Sequence, residues 1–467
     1  MLRLLALLCF CAFPALAQPN FVLILVDDFS LNLMPRRNTI PDDMPNLDAM
    51  QTAGMTLQNY FVSESLCCPS RATIFTGMLP HNTGVMANEP PEGGLAVFDA
   101  NGLAGKTFAV ALQAGEYKTG FMGKYLNGYN SATTPVPPGW NEWLSTGSGY
   151  GGFGYKMNHN GVISYPPDHI TDVIAREGVA WIAAQTGPFF LELAPFSPHW
   201  PHTPPGRYAD AFPGVTYPAT PAYDARPDVN APAWLQAIPP LDAATITTMT
   251  DNYRKRVQSM KAVDDMIGAI RAQLVAQGIA NNTYLIFTSD NGYHMGEYSL
   301  RGGKSTPFDT DIKVPFVVVG PGIPPDSHRW GMTMSADIYP TLLELAGLPP
   351  SPTVDGRSLA PLFAGGIIYR TMAVVEYLRA GMSPSDPDYI MSRSGDPPSY
   401  TAIRAKTWMY VEYATGEVGY YDMTTDPDQL RNIVATITPA RLAELHASLV
   451  ANATCVGAAQ CWAAQMR

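Results

Sequence analysis

The chain has 467 residues, 46% hydrophobic and 15% charged, enough to bury a large core in one big domain with a smaller one beside it. Its formal net charge is −11, and no block of Lys and Arg forms a basic stripe, which argues against a nucleic-acid partner. An acidic protein that handles anions must gather its positive charge locally.

Residues 1–17 read as a secretory signal: Arg3 gives the positive start, residues 4–16 the apolar run, and Ala15-Leu16-Ala17 a small-residue cleavage site. The run is too short to span a bilayer, and no later segment reaches that length, so no transmembrane segment is expected. The mature chain is then exported, to a periplasm, the extracellular space or a lysosome according to host, and begins at Gln18 without Cys9 and Cys11. Residues 20–26 are a continuous apolar run closed by Asp27-Asp28. This is the pattern of a buried parallel strand with polar residues at its C-terminal edge, where open α/β sheets bind ligands.

Cys67-Cys68-Pro69-Ser70-Arg71 places a cysteine where a helix is about to begin. Pro69 suits the first helical position, and Gly77 is placed to end the helix about two turns later. Orphan N–H groups and the positive end of the helix dipole favour an anion there, and Arg71 adds a fixed positive fork. A Cys67–Cys68 disulfide would be strained, because adjacent Cα atoms are about 3.8 Å apart and a bridge needs roughly 4.4–6.8 Å. Two buried thiols beside a capped helix are the plain alternative. His81 reads as structural.

Helical patterns at 104–114, 170–184, 245–277 and 336–346 alternate with apolar runs at 188–193, 283–288 and 314–319. Strands alternating with helices predict an α/β fold with a large, mostly parallel sheet sandwiched by helices. The proline-rich stretch 200–240 reads as an ordered surface excursion beside a cleft, and Asp264-Asp265 as a solvated or capping pair. From residue 366 the pattern changes to short strands at 400–404, 407–413 and 417–421 and a helix at 439–451. Residues 18–365 are thus expected to form the catalytic domain and 366–467 a smaller antiparallel α+β subdomain. Cys455 and Cys461 are spaced to close a small loop, as suits an oxidising compartment. Asn281 and Asn452 head glycosylation sequons, relevant only in a eukaryotic host.

Asp27-Asp28 and Ser289-Asp290-Asn291-Gly292 each follow a predicted strand, so both should meet at one sheet edge. Three carboxylates and an amide oxygen make a hard-oxygen site suited to Ca²⁺, with Mg²⁺ as the alternative, rather than zinc. Alone, Lys124, Lys304 and His199 would pass for two surface lysines and a turn histidine.

Together these residues resemble the sulfatase family of the alkaline phosphatase superfamily. Cys67-Cys68-Pro69-Ser70-Arg71 with Thr76-Gly77 fits its Cys-x-Pro-Ser-Arg signature, and Asp27-Asp28, Gly123-Lys124, Pro198-His199, Ser289-Asp290-Asn291-Gly292 and Lys304 follow in the family's order. Tyr421-Asp422, Asp426-Pro427 and Asn432 match its C-terminal stretch. Gly123-Lys124-Tyr125-Leu126-Asn127 and Asp290-Asn291-Gly292-Tyr293-His294 are most similar to N-acetylglucosamine-6-sulfatases and heparan 6-O-endosulfatases. The resemblance implies an alkaline-phosphatase-like fold and hydrolysis of O-sulfate esters on a sulfated carbohydrate, with small aryl sulfates as further substrates.

It further implies that a formylglycine-generating enzyme converts Cys67 to 3-oxoalanine. Asp27, Asp28, Asp290, Asn291 and the modified Cys67 would hold Ca²⁺, and Lys124, Lys304 and His199 would contact sulfate. Arg71 would orient the nucleophile, and His199 would serve as general acid. The chain departs from many sulfatases at Leu126, where they carry a second histidine. Asn127, hydrogen-bonding the hydrated nucleophile, and His294, facing the pocket as a base or substrate contact, are the residues expected near that gap. A phosphodiesterase or phosphonate monoester hydrolase of the same superfamily, or a non-catalytic glycan-binding protein, are the competing readings.

Overall fold

The computed structural model describes residues 18–37, 40, 43–384, 386–389 and 394–466; the expected signal segment, 1–17, lies outside them. A ten-stranded mixed sheet runs, edge to edge, through Ser327–Met334, Met55–Phe61, Phe316–Val319, Thr283–Ser289, Asn20–Val26, Phe189–Ala194, Lys118–Gly123, Glu142–Ser145, Met157–His159 and Val162–Ser164. Asn20–Val26 lies at the centre, parallel to both neighbours, with Val26 opposite Ser289 and Ile24 opposite Leu193.

Both faces of this central strand are covered, which explains an apolar run without alternation. Phe21, Leu23 and Leu25 pack into one core with Cys68, Ala72, Ile74 and Phe75 of the helix Cys67–Thr76. Val22, Ile24 and Val26 pack into a second core with the helices Ile170–Ala183 and Ala243–Ala276. The latter helix has 34 residues and is about 51 Å long at 1.5 Å per residue.

The strand Phe316–Val319 pairs antiparallel with both Met55–Phe61 and Thr283–Ser289. Period alone could not show this, because a strand buried on both faces reads the same in either direction. Asp264 is buried and caps the helix Pro45–Ala53, accepting from Leu47 N at 2.9 Å, whereas Asp265 pairs at the surface with Arg207.

A separate four-stranded antiparallel sheet follows the chain order Met372–Tyr377, Tyr400–Ala405, Trp408–Tyr413, Val418–Asp422. Helix Pro439–Ala453 lays Leu445 and Leu449 against Met372, Ile403 and Tyr410. Cys455 and Cys461 form a disulfide between this helix and Gly457–Gln465. His81, in the helix Pro80–Thr83, bonds Glu376 and the Cys455 carbonyl, tying that helix to the second sheet and the C-terminal segment. Asn452 is fully buried and donates to two helix carbonyls, so folding excludes it as a glycan acceptor. Among the described residues no helix is long and apolar enough to cross a membrane.

Candidate active site

The acidic cluster, Lys124 and Cys67 are delivered by strand ends and a helix start. Asp27 and Asp28 leave the central strand, Ser289-Asp290-Asn291 leaves its neighbour, and Lys124 leaves Lys118–Gly123. Gly123 is required there: its φ is +124°, and a Cβ would lie 2.0 Å from the Ala194 carbonyl oxygen. Asp28 has φ +61°, a strained value for a non-glycine residue, and is held by Arg256 Nη2 on its carbonyl at 2.5 Å and Asp290 Oδ1 on its N–H at 3.2 Å.

Cys67 is the first residue of its helix, two positions earlier than the proline suggested. Pro69 sits inside the first turn, where its missing N–H has no intrahelical partner to lose. Gly77 ends the helix at φ +67°, in the left-handed conformation. The side chain of Cys67 is fully buried among charges: Lys304 Nζ lies 2.9 Å from Sγ, Lys124 Nζ 3.0 Å, and Asp27 Oδ1 3.2 Å. Burial, with Asp27 and Asp388, pushes the thiol well above its ordinary range, so an unmodified Cys67 is a protonated and weak nucleophile.

Four cations and four carboxylates are interleaved around this point. Lys124 pairs with Asp27 at 2.6 Å, Lys304 with Asp28 at 2.7 Å, and Arg71 with Asp290 at 2.7 Å. Arg71 also donates to the Lys124 carbonyl at 2.7 Å. His199 Nε2 lies 2.6 Å from Asp388 Oδ1, and its Nδ1 lies 2.7 Å from the Trp200 carbonyl. Burial opposes a charge on His199, but Asp28, Asp27 and Asp388 outweigh it and raise its pKa. Burial likewise opposes ionisation of Asp27, yet Lys124, His199, Arg71 and Lys304 hold it far below the carboxylate range. Asp290, desolvated and beside Asp27, is pushed up to about 6 despite Arg71.

The residues present fit a hard divalent cation. Ligand atoms from Asp27, Asp28, Cys67 and His199 lie within 4.8 Å of one another, all buried. Asn291 donates Nδ2 to Asp28 Oδ1 at 2.7 Å while its own Oδ1 is buried without a hydrogen-bond partner. An orphaned amide oxygen beside clustered carboxylates is what a cation would satisfy. Asp290 is the most committed member, since Oδ1 accepts from Asp28 N and Asn291 N, and Oδ2 accepts from Arg71.

Two cavities open on the site. One of about 180 Å³ is lined by Asp28, His199, Trp200, Tyr293, Lys304 and Asp388; the other, about 550 Å³, by Lys124, Asn127, Tyr129, Tyr150 and Phe196. Asn127 therefore borders the approach, and its Oδ1 has no partner within the protein. Leu126 lines the same cavity and brings no titratable group.

His294 does not face either cavity. Its Nδ1 contacts Asp311 at 2.9 Å and Nε2 the Ser394 carbonyl at 3.0 Å, in full burial, so it shapes the Lys304 loop from behind. Sequence reasoning missed Asp388, Tyr150 and Arg256. The Tyr150 ring lies 4.9 Å from Lys124 Nζ and 4.7 Å from the His199 ring. No local pattern marks these residues, because each reaches the site only through tertiary folding.

Buried carboxylates, an amide oxygen and four cations at the strand ends of an α/β sheet, facing a helix-start cysteine, define a metal-assisted hydrolase of anionic esters. The family model described as Sulfatase matches residues 19–348, and the chain belongs to that family. It is a sulfuric ester hydrolase. It is 32% identical to the N-acetylglucosamine-6-sulfatase of Homo sapiens over 482 residues, covering 94% of this chain and 85% of that protein. It is 31% identical to an arylsulfatase of Volvox carteri over 520 residues, covering 97% and 78%. In fold it is similar to a protein solved in complex with its substrate D-glucosamine-2-N,6-O-disulfate, with a TM-score of 0.77, 20% identity and coverage of 93% and 97%.

Proposed function

We propose that the protein is an exported sulfatase that hydrolyses the O-sulfate of a sugar such as N-acetylglucosamine 6-sulfate, through an aldehyde made from Cys67 and with Ca²⁺. The observation that carries this reading is the Cys67 side chain itself, held at a helix start by Lys304, Lys124 and Asp27 within 3.2 Å. A protonated thiol there has no evident use, whereas a hydrated aldehyde offers two hydroxyls to the same partners. A dedicated oxidising enzyme makes that conversion during maturation. The larger cavity, with four aromatic rings and the Asn127 amide, suits one sugar residue. The N-acetylglucosamine-6-sulfatase relative and the glucosamine-disulfate complex support the same substrate class.

Asp27, Asp28, Asp290, Asn291 and the modified Cys67 would hold the cation, which when bound supplies positive charge against the ester's oxygens. Lys124, Lys304 and His199 hold the sulfate group and offset charge as it develops. One hydroxyl of the hydrate passes its proton to Asp27 Oδ1 and attacks sulfur, the ester S–O bond breaks, and the departing alcohol oxygen takes a proton from His199 Nε2. The other hydroxyl then passes its proton to His199 Nε2, left neutral by the first step, the C–O bond to sulfate breaks, and the aldehyde returns with sulfate released. Asp27 Oδ1, at 3.2 Å from Sγ, is the acceptor already bonded to this side chain. Leu126 and His294 offer none.

Turnover of N-acetylglucosamine 6-sulfate and 4-nitrophenyl sulfate, beside a phosphate diester on the same preparation, tests the reading. Sulfate turnover is expected to dominate. Turnover of the diester alone would replace it with a phosphodiesterase, and undiminished sulfate turnover by Cys67→Ala would remove the nucleophile.

A further inference from the structure

The Asp388 carboxylate is buried against the cations that the reading above assigns to the sulfate, and no step of that reading uses it. Its Oδ1 lies 2.6 Å from Lys304 Nζ and 2.6 Å from His199 Nε2, and its Oδ2 accepts from Asn88 Nδ2 at 2.7 Å. Lys304 Nζ donates to Asp28 Oδ1 at 2.7 Å and to Cys67 Sγ at 2.9 Å, and its contact with Asp388 Oδ1 at 2.6 Å is an ion pair. An internal anion therefore stands beside the place where the substrate's anion must arrive.

The charge balance decides what such a group does. Asp27, Asp28, Asp290 and Asp388 face Arg71, Lys124, Lys304 and His199, four negative groups against four positive before a divalent cation binds, and Asp388 alone of the four carboxylates is not assigned to hold that cation. Coulomb energy scales with the product of the charges, so a fixed carboxylate opposes a dianion about twice as strongly as a monoanion at the same distance. Low dielectric in a buried site keeps that difference large. A sulfate ester carries one negative charge; free sulfate and a phosphate monoester carry two near neutral pH.

We propose that Asp388 is a specificity-determining residue of this site, whose charge selects singly charged esters over doubly charged anions and so helps expel product sulfate. The inference rests on the reading that Lys124, Lys304 and His199 hold the ester's sulfate group. Asp388 needs no movement to act in this way. Its lever is the charge that it adds beside the two cations.

The test uses the matured, metal-loaded chain and two variants, Asp388→Asn, which keeps the shape and removes the charge, and Asp388→Glu, which keeps the charge. Calorimetry gives the affinity for inorganic sulfate and inorganic phosphate; kinetics give KM for 4-nitrophenyl sulfate and the kcat/KM ratio of 4-nitrophenyl phosphate to 4-nitrophenyl sulfate. Asp388→Asn should tighten inorganic sulfate on the order of tenfold more than it lowers KM for the ester, and should raise the phosphate-to-sulfate ratio by a similar factor. Asp388→Glu should keep the wild-type ratios. Unchanged or reversed ratios in Asp388→Asn, or a Glu variant that behaves like Asn, overturn the inference while leaving the sulfatase reading intact. A wild type with no sulfate-ester turnover, or a Lys304→Ala variant that binds sulfate as tightly as wild type, overturns the parent reading and the inference with it.

Discussion

Arg71 donates from Nε to Asp290 Oδ2 over 2.7 Å, and neither side chain has any solvent exposure. The pair joins the helix that starts at Cys67 to the strand end that carries Asn291, so it fixes the proposed nucleophile relative to the proposed cation ligands. Arg71→Ala strands a buried carboxylate and should cost about 3–5 kcal/mol of stability, read in denaturant unfolding, together with nearly all activity. A variant of wild-type stability would show that the pair is not the joint between the two elements.

As the proposed general acid, His199 should set the high-pH limb of activity. Asp28, Asp27 and Asp388 raise its pKa against burial, so it stays protonated above the ordinary value near 6.5. Stability from this charge is full below the unfolded pKa and is lost as pH rises through the folded one. As general acid it must carry its proton, so kcat/KM should fall on the basic side, and His199→Asn should remove that limb. The variant should lose about 10²–10⁴-fold on a sugar sulfate and much less on 4-nitrophenyl sulfate, whose leaving group needs little protonation. Equal losses on both substrates would deny His199 the acid role.

Cation binding should be pH-linked through Asp290. Burial and Asp27 push its carboxyl up to about 6 in the metal-free protein, so below that pH a cation must displace a proton. Calcium affinity is expected to weaken as pH falls through about 6, with proton release visible as a buffer-dependent heat. Asn291→Leu removes the orphaned Oδ1 together with the Nδ2 bonds to Asp28 and the Gly292 carbonyl, so it should lower stability in chelator and, beyond that, shrink the stabilisation that Ca²⁺ adds. At a concentration one hundred times Kd, Ca²⁺ should stabilise the wild type by about 2.7 kcal/mol. No thermal shift on adding Ca²⁺ would argue against a site for this ion.

Gly123→Ala isolates the backbone's part in placing Lys124. At φ +124°, with the added Cβ 2.0 Å from the Ala194 carbonyl, the strand end must shift. The strain costs about 1–3 kcal/mol, and kcat should fall with the displaced ammonium group. An Ala variant with wild-type kcat would show that Lys124 tolerates displacement.

Most of what positions the site was legible in the chain, because it is written in local pattern. The run 20–26 ends at Asp27 as its hydrophobicity implied, and the Thr283–Ser289 strand delivers Asp290 and Asn291 to the same edge. Gly77 ends the cysteine helix, and the Cys455–Cys461 bridge forms. What was not legible depends on contacts distant in sequence. The antiparallel Phe316–Val319 strand, Asp388 on Lys304 and Asp311 behind His294 have no signature within their own segments. His294 looked like a pocket residue because it follows the Asp290-Asn291-Gly292 turn, yet both ring nitrogens are engaged deep in the protein.

The central claim is that Cys67 works as an aldehyde. The mass of the peptide spanning Leu66–Arg71, taken from a preparation that hydrolyses sulfate esters, tests it most directly. The account predicts a species that has lost one sulfur and two hydrogens, gained one oxygen, reacts with a hydrazide and takes up one alkyl group, at Cys68, rather than two. A fully active preparation whose Cys67 retains its sulfur and alkylates would contradict it.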